Sequence, residues 1–401
     1  MTIVALCERL SHYHFFRRLV PASVESGHQV LFLSHRLSVV MAAKRDGHKC
    51  VMVRGERLST LPQVFDELEF YEFSANILSE HEILLGLGCI AGFFDSFSKR
   101  FSVDCFFFWN GSSFLARAVS ALARHHGFKT LYFELGNFPG KLLVDPKGVN
   151  AKSWFAHHYP QLTSGGYDKA RFENWRSSYL SEKFCSHRVQ QTRMSTQFNW
   201  YYPLDLVGFY LLCAPWSERP DVFRRTWRYL CSQKVRYQYD LFSPEKDPEY
   251  IFFPLQVSSD SQLLLNSDVD NTQALLLAAE IAKKEGKRLV VKPHPAEGNR
   301  VFVAELADLR KRLGFLFVDM NTFQLMEFSS KIVTINSTAG MEAMLLQKPV
   351  TVLGRAVYEN FTQYDLAFYI QKYLLDIDYF SENNLTTFQI EKIFDRLNFR
   401  I

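Results

Sequence analysis

The sequence predicts an α/β protein built as two Rossmann-like halves facing a central cleft, and three observations carry that expectation. The chain has 401 residues, more than one hydrophobic core usually organises, so two domains are the default. Hydrophobic residues make up 47% of it, enough for two cores. Short apolar runs alternate with helical patterns in two separate regions, which is how parallel strands wrapped by helices read in sequence.

In the first region "TIVALC" reads as a strand, "FFRRLVPASVESG" as a helix and "HQVLFLS" as a second strand. Further on, "SVDCFFFWN" is a strand, "SSFLARAVSALARHHG" an amphipathic helix closed by glycine, and "FKTLYFE" the next strand. Residues from 150 to about 245 lose the alternation and are rich in Trp, Tyr and Arg, as in "FNWYYPLDLVGFYLLCAPW". They are expected to form a helical aromatic and basic insertion, ended by a hinge at "SPEKDPEY".

The second region is more regular. "YIFFPLQ", "KRLVVKP", "FLFVD", "KIVTIN" and "PVTVLG" read as strands. The helices between them are "NTQALLLAAEIAKKEG", "RVFVAELADLRKRLG", "TFQLMEFS" and "GMEAMLLQ". The boundaries that follow are an N-terminal domain at 1–245, a C-terminal Rossmann-like domain at 246–375, and a helical tail at 376–401 that can pack back on the first.

Composition narrows the function classes. The net charge of +4 suits an anionic substrate or a membrane surface and does not demand nucleic acid. Seven scattered cysteines without C-x-x-C spacing read as reduced thiols of a cytosolic protein. The opening "MTIVALCERLSH" lacks the apolar length and cleavage site of a signal peptide, and no uncharged apolar run reaches membrane-spanning length. A cytoplasmic protein is expected, with peripheral contact to the inner membrane through the aromatic and basic segment at 200–239 as one reading. A helical subdomain that packs its own aromatics is the other.

In open α/β sheets ligands bind beyond the carboxyl ends of the strands, and four loops there stand out. "FELGNFPG" carries Glu134, "LQVSSDSQ" carries Asp260, "KPHP" carries Lys292 and His294, and "INSTAGMEA" carries Asn336, Ser337 and Thr338. Prolines on both sides hold His294 in a stiff, extended loop that aims its imidazole. Ser337 and Thr338 open a helix, where unpaired N–H groups favour phosphate; equally, one of them simply caps that helix. Gly340 would let a ligand approach the backbone, and Glu342 would accept a ribose hydroxyl or else stabilise the helix dipole from the surface. Asp260 suits glycosyl chemistry or the closing of an Asx-turn. The D-x-D pair Asp268 and Asp270 precedes a helix pattern and reads as a solvated helix start before it reads as a metal site. No Walker A, dinucleotide, nucleophile-elbow or zincin motif occurs.

The blocks "FELGNFPGKLLVDPKGVNAKS", "LQVSSDSQ", "VVKPHP" and "VTINSTAGMEAMLLQKPVTVLGRAVYE" resemble the capsule-polysaccharide synthesis family of retaining β-Kdo glycosyltransferases over roughly residues 100–360. The resemblance implies a GT-B-like fold, CMP-Kdo as donor, a bacterial surface glycan or glycolipid as acceptor, and no cofactor or metal. It implies that His294 and the Ser337–Thr338 pair hold the CMP phosphate and that Asp260 is the nucleophile of a double displacement. Glu134 becomes the acid/base candidate on the acceptor-side domain. Lys292, Pro295, Asn336, Gly340, Glu342, Gln256, Ser258 and Gln262 complete the implied nucleotide-sugar site. Many members carry Glu-Glu-Gly or Glu-Asp-Gly where this chain has Glu134-Leu135-Gly136, so Glu134 is the only acid in that loop. Two other readings stay open: an inverting transferase using another CMP- or UDP-sugar, and a non-catalytic component of a polysaccharide assembly or export complex.

Overall fold

A computed structural model describes residues 1–54, 58, 60–66, 68, 70–74, 78–162, 166–185, 203–205, 207–208, 237–258, 260–298 and 300–399. Most of the aromatic and basic segment at 200–239 lies outside the described residues. The described chain divides into two compact units, the first holding 1–157, 203–205, 207–208 and 373–399, the second the remainder.

The first unit is organised by a seven-stranded sheet. Its strands are β1 (Thr2–Leu6), β2 (Gln29–Ser34), β3 (Cys50–Met52), β4 (Cys105–Trp109), β5 (Lys129–Leu135), β6 (Lys141–Asp145) and β12 (Leu375–Asp376), in the order β12-β6-β5-β4-β1-β2-β3. The run from β3 to β5 is parallel, while β6 and β12 join antiparallel. β4 reads CFFFW and is buried along its whole length, as a central parallel strand covered on both faces must be. From β1 the chain runs outward to β2 and β3, then returns to the other side of β1 as β4. The sheet therefore has its switch point between β1 and β4.

Helices α1 (Leu10–Phe16), α2 (Val20–Glu25), α3 (Leu37–Arg45), α4 (Tyr71–Ser74), α5 (Glu80–Arg100) and α6 (Phe114–His125) complete the first half of this unit. The 37–100 stretch carries α3, β3 and α5, none of which was read from sequence. In α5 the glycines Gly86, Gly88 and Gly92 interrupt the helical apolar pattern, yet all three are buried and the helix packs against α6. A capping box between Ser79 and Glu82 starts it.

The expected loop "GNFPG" is a hairpin joining β5 to β6, with Gly136 N–H donating to Lys141 O at 2.9 Å. Just beyond it, Asp145 is fully buried and explains much of the "VDPKGVNAKS" block. Its Oδ1 accepts the N–H groups of Lys147, Gly148 and Trp154 at 2.8, 3.1 and 2.8 Å. Its Oδ2 accepts Phe155 N–H at 3.2 Å and the Tyr373 hydroxyl at 2.6 Å. That block is a structural knot.

Residues 376–399 lie in the first unit. β12 pairs with β6, and Leu385, Ile390, Ile393 and Leu397 enter the core shared with Phe16, Phe107 and Phe133. The buried Arg18 donates to the carbonyl oxygens of Asn383, Asp378 and Tyr379 at 2.7, 2.9 and 3.1 Å.

The second unit has five strands, all parallel: β7 (Ile251–Pro254), β8 (Leu289–Lys292), β9 (Leu316–Phe317), β10 (Lys331–Thr334) and β11 (Val350–Val352), ordered β11-β10-β7-β8-β9. Alternate strand residues feed two cores. Ile251, Phe253, Val291 and Val333 face one side, and Phe252, Val290 and Ile332 face the other. The helices are α7 (Trp154–Leu162), whose second half lies here, α8 (Lys169–Cys185), α9 (Ser261–Leu265), α10 (Asn271–Lys284), α11 (Arg300–Leu313), α12 (Thr322–Phe328), α13 (Thr338–Leu345) and α14 (Gln363–Phe368).

Two boundaries differ from the sequence expectation. α8 was assigned with the N-terminal domain but belongs to the second unit, because Arg176 Nε donates to Leu345 O at 2.7 Å and Tyr179 bonds Glu342 on α13. The expected hinge around 243–250 lies inside the second unit, where Ser243 O accepts from Lys246 and Asp247 in a turn. Each unit is a Rossmann-like α/β fold, the pair of halves a GT-B-like chain comprises. Among the described residues, no helix is long and apolar enough to cross a membrane.

Candidate functional site

In the second unit β7 lies between β8 and β10. All three run the same way, so the loops that follow them emerge side by side at one edge of the sheet. The loop after β7 carries Gln256, Ser258 and Asp260; that after β8 carries His294, Pro295 and Glu297; that after β10 carries Asn336 and Ser337. Apart from Glu297, sequence placed these residues at strand ends, and the strand order makes the three ends neighbours.

The His294 imidazole is the best-defined group there. Its Nδ1 accepts the Ala296 N–H at 3.1 Å, and its carbonyl accepts the Glu297 N–H at 3.0 Å. A ring nitrogen that accepts a backbone N–H carries no proton, so the neutral ring holds its hydrogen on Nε2 and donates from there. Burial pushes its pKa below the ordinary imidazole value, against the raising fields of Asp260 and Glu297, with Lys292 lowering it further. His294 is thus neutral near pH 7, and Asp260 lies within its electrostatic reach.

Asp260 itself caps α9, its Oδ1 accepting the Gln262 N–H at 2.9 Å. The local-turn reading therefore holds for that oxygen, alongside the nearness to His294. Lys292 ends β8 and gives its ammonium to Thr322 Oγ1 at 2.8 Å, while burial lowers its pKa. The remaining N–H groups of that ammonium leave it able to face an anion.

Several residues expected to touch the ligand also hold the loops together. Gln256 Nε2 donates to Asn336 Oδ1 at 2.9 Å, and Asn336 N–H donates back to Gln256 Oε1 at 3.0 Å. Asn336 Nδ2 also reaches the carbonyls of Gln262 and Asn266 at 3.0 and 3.2 Å. These amides tie the β7 loop to the β10 loop. Ser258 gives its N–H and hydroxyl to Glu297 Oε2 at 2.8 and 2.7 Å, tying the β7 loop to the β8 loop. The Gln262 side chain accepts from Asn266 Nδ2 at 2.7 Å.

At α13 the Ser337 hydroxyl caps the helix by accepting the Ala339 N–H at 3.2 Å, which keeps its own hydrogen as a donor. Thr338 opens the helix beside it. Gly340 has a different role from the one expected. A Cβ there would run into the Tyr358 ring, whose hydroxyl donates to Ser337 O, so the glycine makes room for Tyr358 and not for a ligand. Glu342 is no surface carboxylate: Tyr179 donates to it at 2.7 Å and Lys183 lies at 3.5 Å. Burial, then Glu342, pushes the Tyr179 phenol up. Asp268 pairs with Arg355 at 2.6 Å and Asp270 caps α10, as a helix-start cluster should.

Glu297, Asn271 and Tyr358 were missed. Glu297 lay three residues beyond His294 in the same loop, which was the only signal. Asn271 is buried at the start of α10 and donates to Gln256 O at 2.8 Å, which no spacing foretells. A cavity of about 450 Å³ opens on the α10 side of this edge, bounded by Ser258, Asp270, Asn271 and Phe302 and touching neither His294 nor Ser337.

Glu134 lies in the first unit, at the end of β5. Its Oε2 accepts from Asn110 Nδ2, and its Oε1 accepts the Leu135 N–H at 3.0 Å. Among the described residues, no group of three or more His, Cys, Asp or Glu is placed to hold a metal ion.

The profile of the family described as "Capsule polysaccharide biosynthesis protein" matches residues 105–362. The capsule polysaccharide export protein KpsS of Escherichia coli is 25% identical over 288 residues, 67% of this chain and 71% of that one. The capsule polysaccharide modification protein LipB of Neisseria meningitidis serogroup B is 24% identical over 250 residues, covering 57% of this chain and 58% of its own length. Protein FixF of Sinorhizobium fredii is 27% identical, with the match covering 62% of this chain and 48% of FixF. Among solved structures, the KpsC β-Kdo 2,7 transferase of Thermosulfurimonas dismutans aligns over 99% of both chains at 12% identity and a TM-score of 0.46.

Proposed function

This chain belongs to the capsule polysaccharide biosynthesis protein family, and from that premise we propose that it is a glycosyltransferase that moves Kdo from CMP-Kdo to a bacterial surface glycan or glycolipid with retention. The observation that carries this reading is the meeting of three loops at one edge of the second sheet, with a neutral imidazole donor, a nearby carboxylate and a helix start.

CMP leaves as an anion, so its phosphate gains charge as the glycosidic bond breaks. His294 donates to it from Nε2, and the first N–H groups of α13 with the Ser337 and Thr338 hydroxyls receive its other oxygens. Lys292 faces the phosphate or the Kdo carboxylate. Asp260 attacks the anomeric carbon as CMP departs, giving a glycosyl ester. An acceptor hydroxyl then displaces the aspartate and gives its proton to a general base. Two displacements return the original configuration.

Incubation with CMP-Kdo and a panel of glycan and glycolipid acceptors tests the reading. Wild type should release CMP and form a β-Kdo product. Asp260→Asn keeps the helix cap, since asparagine caps as well as aspartate, so it should bind CMP as wild type does and lose at least about a thousandfold in transfer. His294→Ala should lose about 10²–10³-fold. Transfer by Asp260→Asn at the wild-type rate removes the nucleophile. Absence of saturable CMP binding favours a non-catalytic member of an assembly or export complex, and an inverted product favours single displacement.

A further inference from the structure

Besides His294, the β8 loop carries a carboxylate that reaches across to the β7 loop. Glu297 is half-buried, and its N–H donates to the His294 carbonyl at 3.0 Å, closing a turn over 294–297. In the β7 loop the Asp260 N–H donates to Val257 O at 3.0 Å, closing a second turn over 257–260, and Ser258 lies inside it. Glu297 Oε2 accepts both the N–H and the hydroxyl of Ser258, at 2.8 and 2.7 Å. The turn that carries His294 and the turn that carries Asp260 are thus joined at one carboxylate oxygen.

The grip continues from Ser258 into the body of the unit. Asn271, buried in the first turn of α10, donates to Ser258 Oγ at 3.4 Å and to Gln256 O at 2.8 Å. Gln256 is bonded in turn to Asn336 in the β10 loop. Ser258, Asn271, Gln256 and Asn336 are neutral, and Glu297 brings a charge to the end of that belt. An ionised acceptor makes hydrogen bonds about twice as strong as a neutral one. The carboxylate is also felt by the imidazole beside it: burial depresses the His294 pKa, Asp260 and Glu297 oppose that, and Lys292 adds to it.

We infer that Glu297 is a positioning residue: by clasping Ser258 it sets the spacing between Asp260, the nucleophile, and His294, the donor to the leaving phosphate. The part it plays in transfer rests on the glycosyl-transfer reading; the clasp and its hold on the imidazole do not. Asp260 and His294 act on the two ends of one glycosidic bond, the first at the anomeric carbon and the second at the phosphate. Groups that must meet one bond tolerate little error, and a displacement of about 1 Å costs about a hundredfold in rate. Each turn closes only within its own loop, so the contact that fixes one against the other carries that precision.

Transfer kinetics with CMP-Kdo, CMP titration and imidazole 15N NMR on the full chain test this. Glu297→Ala should lower kcat about 30–100-fold while the donor KM changes less than about fivefold. Glu297→Gln still offers one oxygen to both Ser258 donors, so it should recover at least about tenfold of that loss. Tyr250→Phe, at the opposite end of β7, removes a buried hydrogen bond to Leu325 O; it controls for lost stability and should keep the wild-type kcat. In wild type near pH 8 the His294 ring should hold its proton on Nε2 alone, and in Glu297→Ala the two tautomers should mix. In Glu297→Gln the ring should titrate below its wild-type value, because a raising field is gone. Wild-type kcat in Glu297→Ala, an equal loss in Tyr250→Phe, or no recovery by glutamine overturns the inference. A wild-type protein that neither transfers nor binds CMP overturns the glycosyl-transfer reading instead; an unmixed tautomer in Glu297→Ala then still shows that the clasp does not orient His294.

Discussion

Glu8 shows how much a single position decides. Its carboxyl accepts from Ser113, yet burial outweighs that bond and the fields of Arg9 and Arg36, with Glu72 adding repulsion, so its pKa rises from 4.5 to about 7. A carboxyl whose folded value lies above its unfolded value binds more protons in the native state. Its contribution is therefore complete below pH 4.5 and is lost as pH rises through 7. Glu8→Gln should accordingly raise stability over wild type by roughly 1–3 kcal/mol at pH 8, with the gain shrinking toward pH 5. Melting curves of both proteins at pH 5 and pH 8 check it; an equal gap at the two values would show that Glu8 is not buried as an acid. His12 acts in the opposite sense, since a depressed imidazole costs stability below pH 6.5, and the isosteric change leaves it in place.

At the scale of the element, α13 was legible in advance while its surroundings were not. "NSTAGMEA" after the apolar run "KIVTI" announced a strand, a cap and a helix, and Ser337 does cap α13. The glycine in that motif looked like an opening for a ligand because sequence cannot show what stands opposite. The Tyr358 ring does, from 18 residues further along the chain. Gly340→Ala should cost about 1–3 kcal/mol by overpacking, readable as a lowered melting midpoint. An unchanged midpoint would mean that Tyr358 moves aside and that the site there is open. Gln256 and Asn336 carry the same lesson: each was recognised as a strand-end residue, but their mutual hydrogen bonds appear only when β7 and β10 are neighbours. Helix α5 was invisible because its three glycines, small enough to bury, break the apolar period that sequence reading relies on.

For the whole molecule, the first unit is closed by residues from the far end of the chain. Tyr373 completes the ligation of Asp145, the Arg396 guanidinium sits 4.2 Å above the Tyr373 ring, and Arg18 grips three carbonyls of the 378–383 turn. Arg18→Met keeps the length of the side chain and leaves those carbonyls without donors, so it should destabilise the first unit by at least about 2 kcal/mol. Hydrogen exchange should show the loss in β1, β6 and α15 (Thr387–Asp395) while β7 and β8 keep their protection. Equal loss in both units would contradict their separate cores.

The sequence by itself determined the two alternating α/β regions, every strand of the second sheet, and the chemistry available at its strand ends, because apolar period and loop composition are local properties. Strand order, the partners of Gln256, Ser258 and Glu342, the room taken by Tyr358 and the hydrogen bond from Ser113 to Glu8 were decided by tertiary structure alone. Those depend on which distant segments become neighbours, and burial, the force that shifts a pKa or leaves a polar atom waiting, exists only after the chain has packed.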